Sequence, residues 1–127
     1  MTQSDQLLDG KRVLVVEDEM LVALLIEDIL ADVGCIVLGP FNTVAKGLAA
    51  ALNEGCDLAL LDVNIAGEKV YPVADALSAR HIPFLFLSGY GDTAIPPGHP
   101  DWKVCGKPFR GRELMDMLLA TLTPTAS

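Results

Sequence analysis

The chain has 127 residues and a formal net charge of −8, from 9 Lys and Arg against 17 Asp and Glu. This length suits one domain, the 51% hydrophobic fraction excludes an intrinsically disordered chain, and the negative charge disfavours binding to nucleic acid or to an anionic membrane. Because no apolar run approaches the roughly 18 residues of a membrane span and no signal peptide is recognisable, we expect a cytoplasmic protein without a membrane partner.

The three cysteines, Cys35, Cys56 and Cys105, are odd in number, widely separated and set among apolar neighbours. This usage is typical of reduced thiols in the core of a cytosolic protein. Neither the cysteines nor His81 and His99 show the spacing of a zinc site.

Five short apolar runs alternate with segments of helical length along the chain. The predicted strands are residues 12–16, 36–39, 58–61, 84–87 and 103–105. Alternation of this kind predicts an α/β fold, a doubly wound five-stranded parallel sheet with helices on both faces.

Apolar residues at helical spacing predict the first helix over 22–33. Asn42 is predicted to cap a second helix that runs through Leu52, a third helix is predicted over 71–80, and leucines at every fourth position predict a last helix around 114–122. Three prolines and two glycines crowd the stretch between Gly89 and Trp102, so we expect an irregular or shortened fourth helix there.

The residues that end the predicted strands carry most of the chemistry of this sequence. Glu17 and Asp18 follow the first run and Asp62 ends the third. In such sheets ligands bind beyond the carboxyl ends of the strands, and the first and third strands are expected to be neighbours. Three acids brought together repel one another and need a cation, and hard oxygen ligands of this number suit Mg²⁺.

A hydroxyl and an ammonium group complete this set of strand-end residues. Ser88 ends the fourth run and Lys107 follows the fifth. Together with Mg²⁺ they supply what a phosphoryl group on a carboxylate requires, namely neutralised charge and fixed position. Asp62, isolated on its own strand, is the predicted nucleophile.

The set formed by Glu17-Asp18, Asp62, Ser88 and Lys107-Pro108-Phe109 resembles the receiver domains of bacterial two-component response regulators. The resemblance covers residues 12 to about 122. It implies a stand-alone receiver domain over 12–123, with a flexible N-terminus at 1–11 and a tail at 124–127. It also implies the flavodoxin-like strand order 2-1-3-4-5.

By that resemblance Asp62 matches the phospho-acceptor, and Glu17 and Asp18 match the acidic pair that holds the metal. Asn64 matches the residue whose backbone carbonyl completes the metal site. The implied cofactor is therefore Mg²⁺, bound by Glu17, Asp18, Asp62 and Asn64.

The same resemblance assigns Ser88 to the hydroxyl position of the family and Lys107 to the lysine that contacts the phosphoryl group. Pro108 stands where the family commonly has a cis peptide after that lysine. The segment from Pro83 to Tyr90 is similar to the Pro-Phe-x-Phe-Ala-Thr-Gly-Tyr motif of a stand-alone receiver subgroup common in alphaproteobacteria, with Leu and Ser replacing Ala and Thr.

One departure from the family concerns the signal that leaves the site. Val104 stands where many receivers carry a switch Tyr or Phe. We therefore expect Tyr90 to take the part of the missing aromatic and the partner to read the loop from Gly89 to Trp102 together with the adjoining face of the last helix. Alternatively, Tyr90 and Trp102 simply pack that loop.

The resemblance implies a response regulator that accepts phosphate on Asp62 from a histidine kinase or a histidine phosphotransfer protein. It would signal by binding a partner or act as a phosphate sink, as a monomer or a phosphorylation-dependent dimer, and would not be an enzyme. One alternative is an aspartate-nucleophile phosphatase of the haloacid-dehalogenase kind. Such enzymes need a second Asp as general acid two residues after the first, where this chain has Asn64. A second alternative is an interaction module that is never phosphorylated.

Overall fold

The computed structural model describes residues 7–89, 95–96, 98–99 and 102–122. Its strands, numbered in chain order, are β1 (Arg12–Val16), β2 (Ile36–Phe41), β3 (Leu58–Asp62), β4 (Asn64–Ile65), β5 (Glu68–Lys69), β6 (Phe84–Ser88) and β7 (Val104–Gly106). Its helices are α1 (Met20–Asp32), α2 (Val44–Asn53), α3 (Tyr71–Ala79) and α4 (Gly111–Leu122).

Five strands form a parallel sheet in the order β2-β1-β3-β6-β7, and β4 and β5 form a separate antiparallel ribbon. With the ribbon left out of the count, the order is 2-1-3-4-5, so the predicted fold class is confirmed. The central strand β3 and its neighbour β6 are buried along their whole length, as strands covered on both faces must be.

Alternate residues of each strand point to opposite faces, and each face has its own hydrophobic core. On one face Leu14 and Phe86 pack with residues of α2 and α3. On the other face Val15 and Leu85 pack with residues of α1 and α4. Helix α2 lies especially close to the sheet, because a Cβ atom on Gly47 would come within 2.8 Å of Val16.

Several element boundaries differ by one to three residues from the sequence expectation, and the start of α2 and the end of β2 illustrate this. Thr43, not Asn42, caps α2, because its Oγ1 accepts a hydrogen bond of 3.1 Å from the backbone N–H of Lys46. Strand β2 continues beyond the predicted residue 39 to Phe41, with a shift of register against β1. At the end of α3, Arg80 donates from Nη1 to the carbonyl of Ala51, which ties α3 to the end of α2.

The packed structure begins upstream of Arg12. Leu8 is fully buried in the core beside α1, and Cys35 Sγ donates to its carbonyl at 3.4 Å. The backbone N–H of Gly10 also donates to Gly34, at 2.8 Å. Within the described ranges, no helix combines the length and the apolar character needed to cross a bilayer.

The segment predicted to hold an irregular fourth helix is described only in part. Gly89, residues 95–96, residues 98–99 and Trp102 are neither helical nor in a strand. The remainder of that prediction, including Tyr90, lies outside the described residues.

Candidate functional site

Parallel pairing of β1 with β3 brings the three predicted acids together. Val16 pairs with Leu61, so the next residue on each strand, Glu17 and Asp62, lies at the same edge of the sheet. Glu17 is 2% exposed and Asp62 is 5% exposed, whereas Asp18 is open to solvent. Ligand atoms of the three carboxylates all lie within 4.8 Å of one another.

Lys107, which follows β7, places its ammonium group among these acids. Its Nζ lies 2.9 Å from Oδ2 of Asp62 and 3.0 Å from Oε1 of Glu17. Burial on its own would lower the pKa of Lys107, but the contacts with Asp62 and Glu17 outweigh burial and raise it. Lys107 is therefore a fixed positive charge against the carboxylate that the sequence predicts to be phosphorylated.

The two oxygens of the Glu17 carboxyl have different neighbours. Oε2 accepts a hydrogen bond of 3.0 Å from the backbone N–H of Glu19. Oε1 is buried and forms an ion pair of 3.0 Å with the ammonium of Lys107, without the geometry of a hydrogen bond. Burial, together with the neighbouring Asp62 carboxyl, raises the pKa of Glu17 to about 7. Three carboxylates against one ammonium group leave net negative charge, which favours a further cation beside them.

The residues present fit a divalent metal ion. The donor set is oxygen only, and the carboxylates of Glu17, Asp18 and Asp62 converge with more negative charge than Lys107 offsets. Hard carboxylate oxygens in this number suit Mg²⁺, which binds through few protein ligands and keeps water in the remaining positions. The role of the Asn64 carbonyl as a further ligand stays a prediction.

Ser88 lies next to Lys107 at the end of β6. Asp62 pairs with Leu87, which places Ser88 one residue beyond the level of Asp62. Ser88 is 2% exposed, and its carbonyl accepts a hydrogen bond of 2.9 Å from the backbone N–H of Lys107. The predicted hydroxyl and the predicted ammonium are thus joined through the backbone at the same edge of the sheet.

The β4–β5 ribbon contacts this site in a way that the sequence did not predict. The backbone N–H of Asn64 donates to Oδ1 of Asp62 at 3.3 Å, and the N–H of Ala66 donates to Oδ2 of Asp18 at 2.8 Å. Lys69 donates from Nζ to Oδ1 of Asn64 at 2.6 Å. The turn of this hairpin is Ala66-Gly67, and the glycine at its second position is the sequence signal that could have indicated it.

Glu19, to which the sequence assigned no role, also contacts Lys107. Its Oε1 lies 3.3 Å from Nζ of Lys107, although its side chain is 64% exposed. An exposed ion pair of this kind contributes little to stability, so Glu19 is an outer member of the cluster.

Trp102 lies two residues before β7 and packs in the core. Its ring packs edge-on against Phe84 and Phe86, with centroids 5.3 Å from each, and the His99 ring stacks on it at 3.7 Å. Trp102 therefore joins the core on the α2 and α3 face of the sheet. Val104, at the position of the missing switch aromatic, pairs directly with Phe86.

No match was found among protein-family models or among curated proteins. Among solved structures, SdrG from Sphingomonas melonis is 40% identical, covering 89% of this chain and 96% of SdrG with a TM-score of 0.71. A structure of SdrG in a BeF3-activated conformation is 39% identical, covering 91% of this chain and 98% of SdrG with a TM-score of 0.75.

Two further structures resemble the chain at lower identity. The receiver domain of a sensor histidine kinase from Pseudomonas aeruginosa, described with a magnesium ion coordinated in its active site cleft, is 21% identical. The alignment covers 89% of this chain and 98% of that receiver domain, with a TM-score of 0.74. The response regulator PhyR from Brucella abortus is 25% identical over 94% of this chain, with a TM-score of 0.78. This chain spans about half the length of PhyR, 51%.

Proposed function

We propose that this chain, which belongs to the response regulator receiver domains, accepts a phosphoryl group on Asp62 from a phosphohistidine of a histidine kinase or a histidine phosphotransfer protein. One observation supports the proposal above all. The Asp62 carboxylate lies 2.9 Å from the Lys107 ammonium, in a cluster with Glu17 and Asp18 whose ligand atoms all lie within 4.8 Å of one another. A nucleophilic carboxylate, a fixed positive charge and a site for a divalent cation are the parts that phosphoryl transfer requires.

The chemistry uses these side chains in separate roles. An oxygen of Asp62 forms a bond to phosphorus while the bond between phosphorus and the donor imidazole nitrogen breaks, which returns the donor histidine to its free form. Lys107 would offer its ammonium to the transferred phosphoryl oxygens, and the Ser88 hydroxyl would donate a hydrogen bond to them. Glu17, Asp18, Asp62 and the carbonyl of Asn64 would hold Mg²⁺, which when bound supplies positive charge to the same oxygens.

The residue two positions after Asp62 argues against a phosphatase. An aspartate-nucleophile phosphatase needs a carboxylic acid there to protonate the leaving group. Asn64 is an amide, and its side-chain oxygen accepts a hydrogen bond from Lys69. The chain is therefore expected to hold its phosphoryl group rather than turn over phosphomonoesters. The signal would then pass to a bound partner, or the chain would act as a phosphate sink for a shared kinase.

Incubation with acetyl phosphate and Mg²⁺, followed by intact mass measurement, tests the proposal. We expect a mass increase of one phosphoryl group in the unmodified chain, its loss in hydroxylamine, and none in Asp62→Asn. The matched control is Asp75→Asn, on the exposed surface of α3, which should be labelled like the unmodified chain. Labelling of Asp62→Asn would contradict the site, and repeated turnover of a phosphomonoester would support the phosphatase.

A further inference from the structure

We propose that Lys69 is a positioning residue for the metal site, because its hydrogen bond to Asn64 holds the β4–β5 ribbon in the register that orients Asp18 and Asp62. This inference rests on the proposed function in one respect, namely that these acids bind a divalent metal. Lys69 itself is exposed, and it is not a ligand of the ion, which Glu17, Asp18 and Asp62 would hold.

The ribbon is bonded to both acids through its backbone. Its first residue, Asn64, donates to Oδ1 of Asp62, and its turn residue, Ala66, donates to Oδ2 of Asp18. Each acid thus has one oxygen held by a ribbon N–H. The other oxygen of Asp62 lies 2.9 Å from Nζ of Lys107, and a carboxylate oxygen of Asp18 lies within 4.8 Å of ligand atoms of Glu17 and Asp62. Groups that bond to metal-binding carboxylates in this way fix their orientation and raise metal affinity.

Side-chain contacts add to the backbone pairing that keeps this register. The ribbon consists of only two residue pairs, Asn64 with Lys69 and Ile65 with Glu68, and is anchored at its base because the N–H of Val70 donates to the carbonyl of Val63 at 2.9 Å and Ile65 is buried. Its turn places Ala66 at φ 50°, a conformation that residues other than glycine adopt at a cost. The hydrogen bond of 2.6 Å from Lys69 Nζ to Asn64 Oδ1 joins the two strands on the side-chain level, and it is charge-assisted because its donor is an ammonium group.

The sign of one measurement separates positioning from simple electrostatics. If Lys69 acted only as a positive charge near the acids, its removal would make Mg²⁺ bind more tightly, because a repelling charge would be gone. If Lys69 positions the ribbon, its removal makes Mg²⁺ bind more weakly. The two explanations therefore predict opposite changes in the dissociation constant.

The experiment measures the Mg²⁺ dissociation constant from the rise in melting temperature across a Mg²⁺ concentration series, on the full chain. Removing a residue that hydrogen-bonds to a metal ligand commonly weakens metal binding about 10- to 100-fold. Lys69 bonds to Asn64, which in turn bonds to the ligand Asp62, so we expect a smaller effect. We expect Lys69→Met to weaken binding about fivefold and Lys69→Arg to restore most of the affinity. The control Lys103→Met removes the same charge at the opposite edge of the sheet, before β7, and should not weaken binding.

A double variant tests whether Lys69 acts through Asn64. Asn64→Ala should weaken Mg²⁺ binding to the same degree, and adding Lys69→Met to it should change nothing further. If Lys69→Met binds Mg²⁺ as tightly as the unmodified chain or more tightly, or if the two substitutions lower the Mg²⁺ affinity additively, the inference about Lys69 is wrong. The proposed function is unaffected by either result. If the unmodified chain binds no Mg²⁺, this inference fails with the metal site, whereas phosphorylation of Asp62 is judged separately by mass.

Discussion

Nζ of Lys107 lies 2.9 Å from Oδ2 of Asp62, although 45 residues separate them in the chain. The contact exists because β3 and β7 are parallel strands of one sheet, separated by β6, and their carboxyl ends lie at the same edge. One ammonium group, 15% exposed, thereby offsets part of the repulsion among the surrounding carboxylates. The stability of the metal-free protein should therefore depend on this lysine more than on any exposed one.

Lys107→Met should lower the free energy of unfolding by about 1–3 kcal/mol in the absence of metal, because it leaves the buried Glu17 and Asp62 carboxyls without their cation. Millimolar Mg²⁺ should recover much of the loss by replacing the missing charge. Urea unfolding with and without Mg²⁺ measures both effects. Lys103→Met is the matched control at an exposed position, and an equal loss there would contradict the role of Lys107.

Mg²⁺ should stabilise the unmodified chain, since the ion binds the folded acids and relieves their repulsion. At 100 times its dissociation constant, a ligand that binds only the folded state adds about 2.7 kcal/mol. Asp18→Asn should lose most of this gain, and Asp28→Asn, on the exposed face of α1, should keep it. The measurement is the melting temperature against Mg²⁺ concentration, and an identical rise in both variants would argue against a metal site at Asp18.

The acids and the lysine of the site could be predicted from the sequence because the rule that locates them is topological. Asp62 ends one buried apolar run and Lys107 follows another. In a parallel sheet the carboxyl ends of the strands lie at one edge, independently of which side chains they carry. The burial of β3 and β6 follows from the same runs, whereas the strand order was implied by the resemblance to receiver domains. Alternating apolar segments therefore carried most of the information about the fold.

The parts that were missed depend on local geometry that no pattern encodes. The ribbon has two residues in each strand, too few for a period, and its contact between Lys69 and Asn64 arises only from the hairpin register. Asn42 and Thr43 are both good capping residues, and the choice between them is set by where β2 ends against β1. The burial of Leu8 likewise depends on the core beside α1, which the short segment before β1 does not reveal.

The stability of the protein should fall as the pH rises from 9 to about 11, partly because of Cys35. Burial, with the negative charge of Asp9 beside it, raises the pKa of this thiol from 9.0 to about 11. Below pH 9 the thiol is protonated in both the folded and unfolded states and has no effect. Between the two values only the unfolded chain loses the proton, so unfolding becomes more favourable. Urea unfolding over this range should show a shallower pH dependence in Cys35→Ala, and identical slopes would contradict the assignment.

Phosphorylation should be sensed by Trp102, the single tryptophan of the chain. Ser88 and Phe86 are two residues apart on β6 and so face the same side of the sheet. A movement of Ser88 toward a phosphoryl group on Asp62 would shift this strand, and Phe86 contacts the Trp102 ring at a centroid distance of 5.3 Å. Because Val104 has no ring to turn, the Phe86–Trp102 contact offers a path from the site to the segment before β7.

We expect beryllofluoride with Mg²⁺, which mimics a phosphoryl group on the carboxylate, to change the fluorescence of Trp102 and the hydrogen exchange of residues 89–102. Asp62→Asn is the control, since it removes the carboxylate that the mimic needs and should show neither change. Tyr90, predicted to replace the missing aromatic, is tested with it, because Tyr90→Ala should reduce the response if its ring carries the signal. Unchanged fluorescence and unchanged exchange across 89–102, with changes elsewhere in the beryllofluoride complex, would show that the signal leaves the site by another route.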